Sequence, residues 1–394
     1  MAAGPGHRSG RPFLVALGGL LALAAAMGIG RFVYTPILPF MISGIGVSPS
    51  HAGLIASANF SGYLVGALIA SIGGLPGRVR VWFIAALAGS AVTTAAMGLT
   101  EATVAFVLLR FAGGATSAFA MVFSATLILD RLSAAGRSGL SAVHFAGVGA
   151  GIAASAVLVA VLADLGSDWR LLWLASGVLT VICLAAAVML VAPRREAAPN
   201  AQAGAVQKPP GGLPALIVAY GLFGFGYVIT ATFISVMVVE KPALAPAEPY
   251  VWLVFGLAAA PSVLIWTLLA RRYGGIVAFA IACGVEAVGV VLSVAAESPA
   301  MALVASALVG GTFMGITALG LVEARCRAPE RARRIIALMT ASFGLGQMVG
   351  PWLAGLLREG TGSFATPSYL AAGALVLAAA IVLAGALPRH ARPL

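Results

Sequence analysis

The sequence predicts an all-α integral-membrane fold of twelve transmembrane helices in two pseudo-symmetric six-helix bundles. Three observations carry that prediction: a composition too apolar for water, apolar segments of spanning length that recur almost without pause, and glycine pairs that repeat at a near-constant offset.

Of the 394 residues, 61% are hydrophobic and only 9% charged, and the mean hydropathy is +1.05. So little polar surface cannot cover a globule in water, so the chain is expected to be solvated by a lipid bilayer. The formal net charge of +11 does not point to nucleic acid, because the basic residues are dispersed among short loops instead of gathered on one face. Cys183, Cys283 and Cys326 stand far apart and form no CxxC pair, which argues against a disulfide framework and a zinc site. No metal and no cofactor is expected. There is no HExxH, GxSxG, Walker A or paired-carboxylate motif, nor a loop long enough to build a water-exposed active site, so the chain is not expected to be an enzyme.

Crossing the hydrocarbon core takes roughly 20 mostly apolar residues. Breaking the sequence at Gly, Pro and charge clusters gives helices over 13–42, 50–74, 81–99, 102–129, 137–163, 171–192, 213–239, 250–269, 275–296, 299–323, 333–357 and 367–387. The first follows Arg8 and Arg11 and runs past Gly28 to Ile42, too long for a signal-peptide core, and is expected to be retained. Alternating the loops puts every loop Lys and Arg on one face except Arg170, Lys241 and Arg358, with Arg31 and Arg110 inside spans. By the positive-inside rule both termini are then cytoplasmic in a multi-pass protein of the bacterial inner (plasma) membrane. One missed or invented span would scramble this bias. The polar stretch 193–212, rich in Ala, Pro, Gln and Gly, reads as a flexible cytoplasmic linker between bundles 1–192 and 213–394.

A shift of 196 residues places Gly28 and Gly30 on Gly224 and Gly226. A shift of 197 places Gly113 and Gly114 on Gly310 and Gly311, and Gly147 and Gly149 on Gly344 and Gly346. The shared offset straddles the linker and reads as two parallel bundles related by an axis along the membrane normal. Small residues there let helices approach closely, which accounts for most of the glycines.

From 13 to 387 this pattern resembles the major facilitator superfamily. Within it, Met27-Gly28-Ile29-Gly30-Arg31-Phe32-Val33-Tyr34-Thr35-Pro36 and Gly224-Phe225-Gly226-Tyr227-Val228-Ile229-Thr230-Ala231-Thr232 resemble the YbfB-like branch. Arg110 followed by Gly114 is similar to the superfamily's Arg-x-x-x-Gly pattern, which implies an arginine facing the central cavity with a part in proton coupling. Gly147-Val148-Gly149-Ala150-Gly151 resembles the span-five motif of drug/proton antiporters without its proline. Gly73-Gly74-Leu75-Pro76-Gly77-Arg78-Val79-Arg80 occupies the loop of the gating motif but lacks the aspartate, and so does Ala270-Arg271-Arg272-Tyr273-Gly274. A charge-relay gate is therefore not expected.

A charge near the bilayer centre costs at least about 2.5–3.5 kcal/mol on insertion scales, so each is a functional candidate. Arg31 lies past the middle of span one with Pro36 and Pro39 beyond it, and Arg110 lies in span four. The resemblance implies that spans one, four, seven and ten surround the cavity. There the planar guanidinium forks would suit a carboxylate or phosphate; the alternative is that they bond backbone carbonyls beside Gly or Pro breaks, or snorkel outward. Tyr34, Asn59, Tyr63, Tyr227 and Gln347 are candidate cavity-lining contacts or, equally, interhelical hydrogen bonds. His144 and Glu286 are the histidine and the carboxylate well inside spans, hence candidates for proton coupling or else packing groups.

The expected function is alternating-access transport of a small organic solute by a monomer, coupled to the proton gradient, with an anionic substrate favoured by the arginines and export the favoured direction. A channel, a scaffold or a membrane-embedded enzyme are the alternatives.

Overall fold

The computed structural model describes residues 12–71, 76–191 and 212–386. The linker expected over 193–212 lies outside the described residues apart from Gly212, as do Arg8, Arg11 and the start of the loop motif at Gly73 to Leu75.

Among the described residues, twelve helices are long and apolar enough to cross a bilayer: Pro12–Ile45, Pro49–Ser71, Val79–Leu99, Thr103–Ala134, Ser138–Asp164, Trp169–Leu190, Leu213–Val239, Pro242–Tyr273, Gly275–Ala295, Pro299–Arg327, Arg334–Thr361 and Ala365–Ala386. These are spans one to twelve below. Among the described residues there is no strand. The observed spans four, ten and eleven run about a turn beyond the expected ends, because Asp130 and Arg131, Arg325 and Arg327, and Arg358 stay helical. Charge ends the lipid-facing part of a helix without breaking its hydrogen bonds. Span eight starts earlier than expected, as a 3₁₀ turn over Pro242–Ala247 that leads straight into helix Glu248–Tyr273.

Each half repeats one packing scheme. Span two packs on four and span one on five; in the second half span eight packs on ten and seven on eleven. At least one glycine of each repeated pair sits at these contacts. A Cβ on Gly114 would stand 1.9 Å from the Asn59 carbonyl and one on Gly310 2.3 Å from the Phe255 carbonyl; Gly147 meets the Leu20 carbonyl and Gly346 that of Gly221, both at 2.2 Å. Lipid tails are as apolar as leucine, so close packing of small residues is what holds such helices together. The halves meet along spans two and eleven, five and eight, and one and seven. Among the described residues, spans four and ten make no comparable packing across the interface. Leu99, Val104 and Met189, each 70% exposed or more, mark the lipid-facing surface.

Candidate functional site at the interface of the halves

Span one is not one helix. An α-helix over Pro12–Leu23 widens to a π turn over Ala24–Ile29, passes through a hydrogen-bonded turn at residues 30–33, and resumes over Tyr34–Ile45. Pro36 supplies the cause, since it has no N–H to give the Phe32 carbonyl. The Thr35 N–H takes that carbonyl instead, at 3.2 Å, and the Arg31 carbonyl is left without its own helical donor. Upstream, Gly30 N reaches back five residues to the Ala25 carbonyl at 2.9 Å.

This turn carries Arg31 into the interface, where it is 3% exposed. Its Nη2 donates to Gln347 Oε1 of span eleven at 3.0 Å, and Gln347 Nε2 donates to the Tyr227 hydroxyl of span seven. The guanidinium lies 4.0 Å from the centre of the Tyr63 ring, 4.8 Å from Phe60 and 5.4 Å from Phe32. Its Nε has no hydrogen-bond partner. Around this group both halves supply rings: Phe32 meets Trp252 and Phe313, and Tyr227 stacks between Phe313 and Phe343 at 5.5 and 5.9 Å. Among the described residues no carboxylate is within ion-pair distance of Arg31 or Arg110. Cation–π contacts, one amide oxygen and the Tyr63 hydroxyl surround this charge.

One turn further on, Thr35 Oγ1 donates to the Ala231 carbonyl at 2.7 Å, across 196 residues. That is the repeat offset, and it also aligns Arg31 with Tyr227. Equivalent positions touch, so the pseudo-symmetry axis passes between spans one and seven at this level.

Arg110, Asn59 and Tyr34 form a second, adjoining constellation. Arg110 Nη1 donates to the Gly30 carbonyl at 3.0 Å and Nη2 to the Arg31 carbonyl at 2.6 Å. Asn59 Nδ2 donates to the Arg110 carbonyl at 2.9 Å, and the Tyr34 hydroxyl to that of Ala52 at 3.0 Å. These side chains bond backbone, the alternative the sequence left open beside glycine and proline breaks.

The structure does not bring His144 or Glu286 to Arg31. His144 is buried against Gly19, where a Cβ would stand 2.5 Å from its Nδ1, and neither ring nitrogen has a hydrogen-bond partner. Gly19 precedes Arg31 by twelve residues, roughly 18 Å along a helix. Glu286 of span nine is fully buried inside the second half, with neither oxygen bonded. Thr312 is beside it but turns its hydroxyl to the carbonyls of Leu308 and Val309, at 2.7 and 3.0 Å.

Away from the termini, further bonds join the halves: Ser57 Oγ to the Met348 carbonyl at 2.7 Å, Trp352 N to Ser57 Oγ at 3.1 Å, and Ser50 N to Glu359 Oε2 at 3.3 Å. On that side a cavity of about 190 Å³ remains between spans one, two and seven, lined by Pro39, Ile42, Ser43, Phe233, Val236 and Glu240. Sequence reasoning missed Phe32, Phe60, Phe313 and Phe343 around Arg31, and the bonds of Thr35 and Ser57. Only the proline after Thr35 was a signal, and it pointed to a break without saying what filled it.

Two bundles joined by a buried polar junction at mid-depth, with aromatic walls from both, define a transporter of the major facilitator class. The chain belongs to the family described as uncharacterised MFS-type transporter YbfB, whose model matches residues 23–383. Among solved structures it is similar to a mutant of the nucleoside transporter NupG (14% identity, TM-score 0.73, 95% of this chain and 100% of that one). It is also similar to a bacterial homologue of the human lysosomal transporter Spinster in an inward-facing and occupied conformation (14% identity, TM-score 0.67, 94% and 96%). No curated protein matches it in sequence.

Proposed function

We infer that this protein is a secondary active transporter of a small anionic organic solute, working by alternating access, with the solute held between Arg31 of the first half and Tyr227 and Gln347 of the second. One observation carries the reading: Arg31 is a buried cation at the interface, bonded to an amide of the opposite half, with no carboxylate partner among the described residues. A buried charge is costly unless something compensates it, and a solute carboxylate or phosphate would supply the missing counter-charge to a planar fork. By taking the place of Gln347 on that fork, the solute would become the link between the halves. Binding and rocking then share one contact.

The bonds of Thr35, Ser57 and Ser50 seal the side away from the termini. With both termini cytoplasmic, as the distribution of Lys and Arg favours, that seal lies on the outer side of the bacterial inner membrane. We assign proton coupling to Glu286, a buried carboxyl of the second half, ahead of His144, which adjoins span one far from Arg31.

Purified protein in proteoliposomes should catalyse saturable counterflow of an organic anion, chosen by a thermal-shift screen of organic acids, neutral analogues and amphipathic cations. Arg31→Ala should abolish it while leaving expression and monodispersity near normal. Equal stabilisation by neutral analogues, or counterflow surviving in Arg31→Ala, would refute the anionic site.

A further inference from the structure

We propose that Arg110 is a positioning residue: its guanidinium caps the two carbonyls of span one left without helical donors before Pro36, and by holding that turn it aims Arg31 across the interface. The inference deepens the proposed function, on which its consequence for the solute rests.

A helix carbonyl that has lost its donor four residues on is tolerated inside a membrane only where protein supplies another partner. At residues 30–33 span one keeps the Arg31 N–Met27 and Val33 N–Ile29 bonds, at 3.3 and 2.9 Å, but leaves the Gly30 and Arg31 carbonyls without helical donors. Its Gly30 and Arg31 carbonyls each receive one terminal nitrogen of Arg110, at 3.0 and 2.6 Å. Successive carbonyls suit a planar fork and not a single ammonium, so lysine could cap one of them at a time. The fork is itself held in a slot. Tyr34 and Trp173 present their rings 5.3 and 5.9 Å from its centre. Tyr34 is pinned by its bond to Ala52, and Trp173 by Nε1 donating to Met41 Sδ at 3.4 Å. Asn59 fixes the backbone of Arg110 itself, at a place where Gly62 and Gly114 bring spans two and four into contact. With both terminal nitrogens on backbone and Nε buried without a partner, Arg110 acts on the solute through Arg31.

Pro36 is the reason the Arg31 carbonyl is free, which gives a test that needs no solute. In the purified full-length protein in lipid nanodiscs, Arg110→Ala should speed amide exchange over residues 28–37 about tenfold and lower Tm, with Arg110→Lys intermediate. Pro36→Ala returns an N–H to the Phe32 carbonyl and frees Thr35 to bond Arg31. In that background Arg110→Ala should therefore lose no more than about half as much Tm as it does alone. If the alanine variant fails to insert, Arg110→Lys with and without Pro36→Ala makes the same comparison. Unchanged exchange over 28–37, or effects of the two substitutions that simply add, would overturn the proposal. Because every arm is solute-free, a wild-type protein that binds no organic anion would count against the proposed function and leave this inference standing.

Discussion

Spans one and seven occupy equivalent places in the two halves and have taken opposite solutions. Span seven is a single helix over Leu213–Val239, with its one proline in the first turn, where a missing N–H costs nothing. Span one is interrupted by a π turn and by the turn at residues 30–33 before Pro36. At the shared offset of 196 residues Pro36 aligns with Thr232, and Arg31 with Tyr227. The half with the break carries the charge, and the half without it carries a phenol on a straight scaffold. Duplication supplies two walls of a cavity for one design; breaking one of them lets a long cationic side chain leave its own helix and reach the other.

Four substitutions sharpen or break this contrast. The largest effect is expected from Thr232→Pro, which puts into span seven the break that span one has, without an arginine to cap it. An interior proline costs about 3 kcal/mol or more, so the variant should fail to accumulate as folded protein in the membrane. Normal yield would mean that span seven tolerates a break as readily as span one. Next, Arg31→Ala should cut anion counterflow more than about a hundredfold while leaving Tm within a few degrees, because it removes a buried charge together with its partner contacts. A variant lost to degradation would instead make Arg31 structural. Gln347→Ala removes the neutral link and keeps the cation, so counterflow should fall only about tenfold, through weaker binding. The smallest effect is expected for Thr35→Val, which deletes one bond across the seal. At about 0.5–1.5 kcal/mol for a hydrogen bond, it should shift the balance of the two access states severalfold without changing maximal binding, as read by labelling of cysteines on either side.

Much of the fold was legible because lipid imposes simple rules. Spanning length, loop charge and the glycine offset are properties of the chain itself, and the twelve spans follow from them. The break in span one was half visible. Pro36 announced it, but the interruption lies at residues 30–33, since a missing donor is felt by a carbonyl four residues upstream and by the turn that must rearrange around it. The site was less legible. Arg31, Tyr63, Tyr227 and Gln347 meet as a group, whereas Arg110, Asn59 and Tyr34 bond backbone one layer away, and His144 and Glu286 are buried within separate halves. In water, hydrophobic periodicity would have said which face of each helix points inward. Here lipid and core are both apolar, so Phe313 and Phe343 in the aromatic shell look no different in sequence from Phe111 facing lipid.

The central claim is that the two halves rock about the Arg31–Gln347 junction between a state sealed at Thr35, Ser57 and Ser50 and one open there. Pulsed electron–electron distance measurement tests it most directly, with spin labels at His51→Cys and Ser363→Cys on the sealed side, in a background lacking Cys183, Cys283 and Cys326 and in lipid nanodiscs. Two distance populations are predicted, a short one matching the sealed structure and a longer one whose share changes with pH or with an organic anion. A single short distance under every condition would contradict the account.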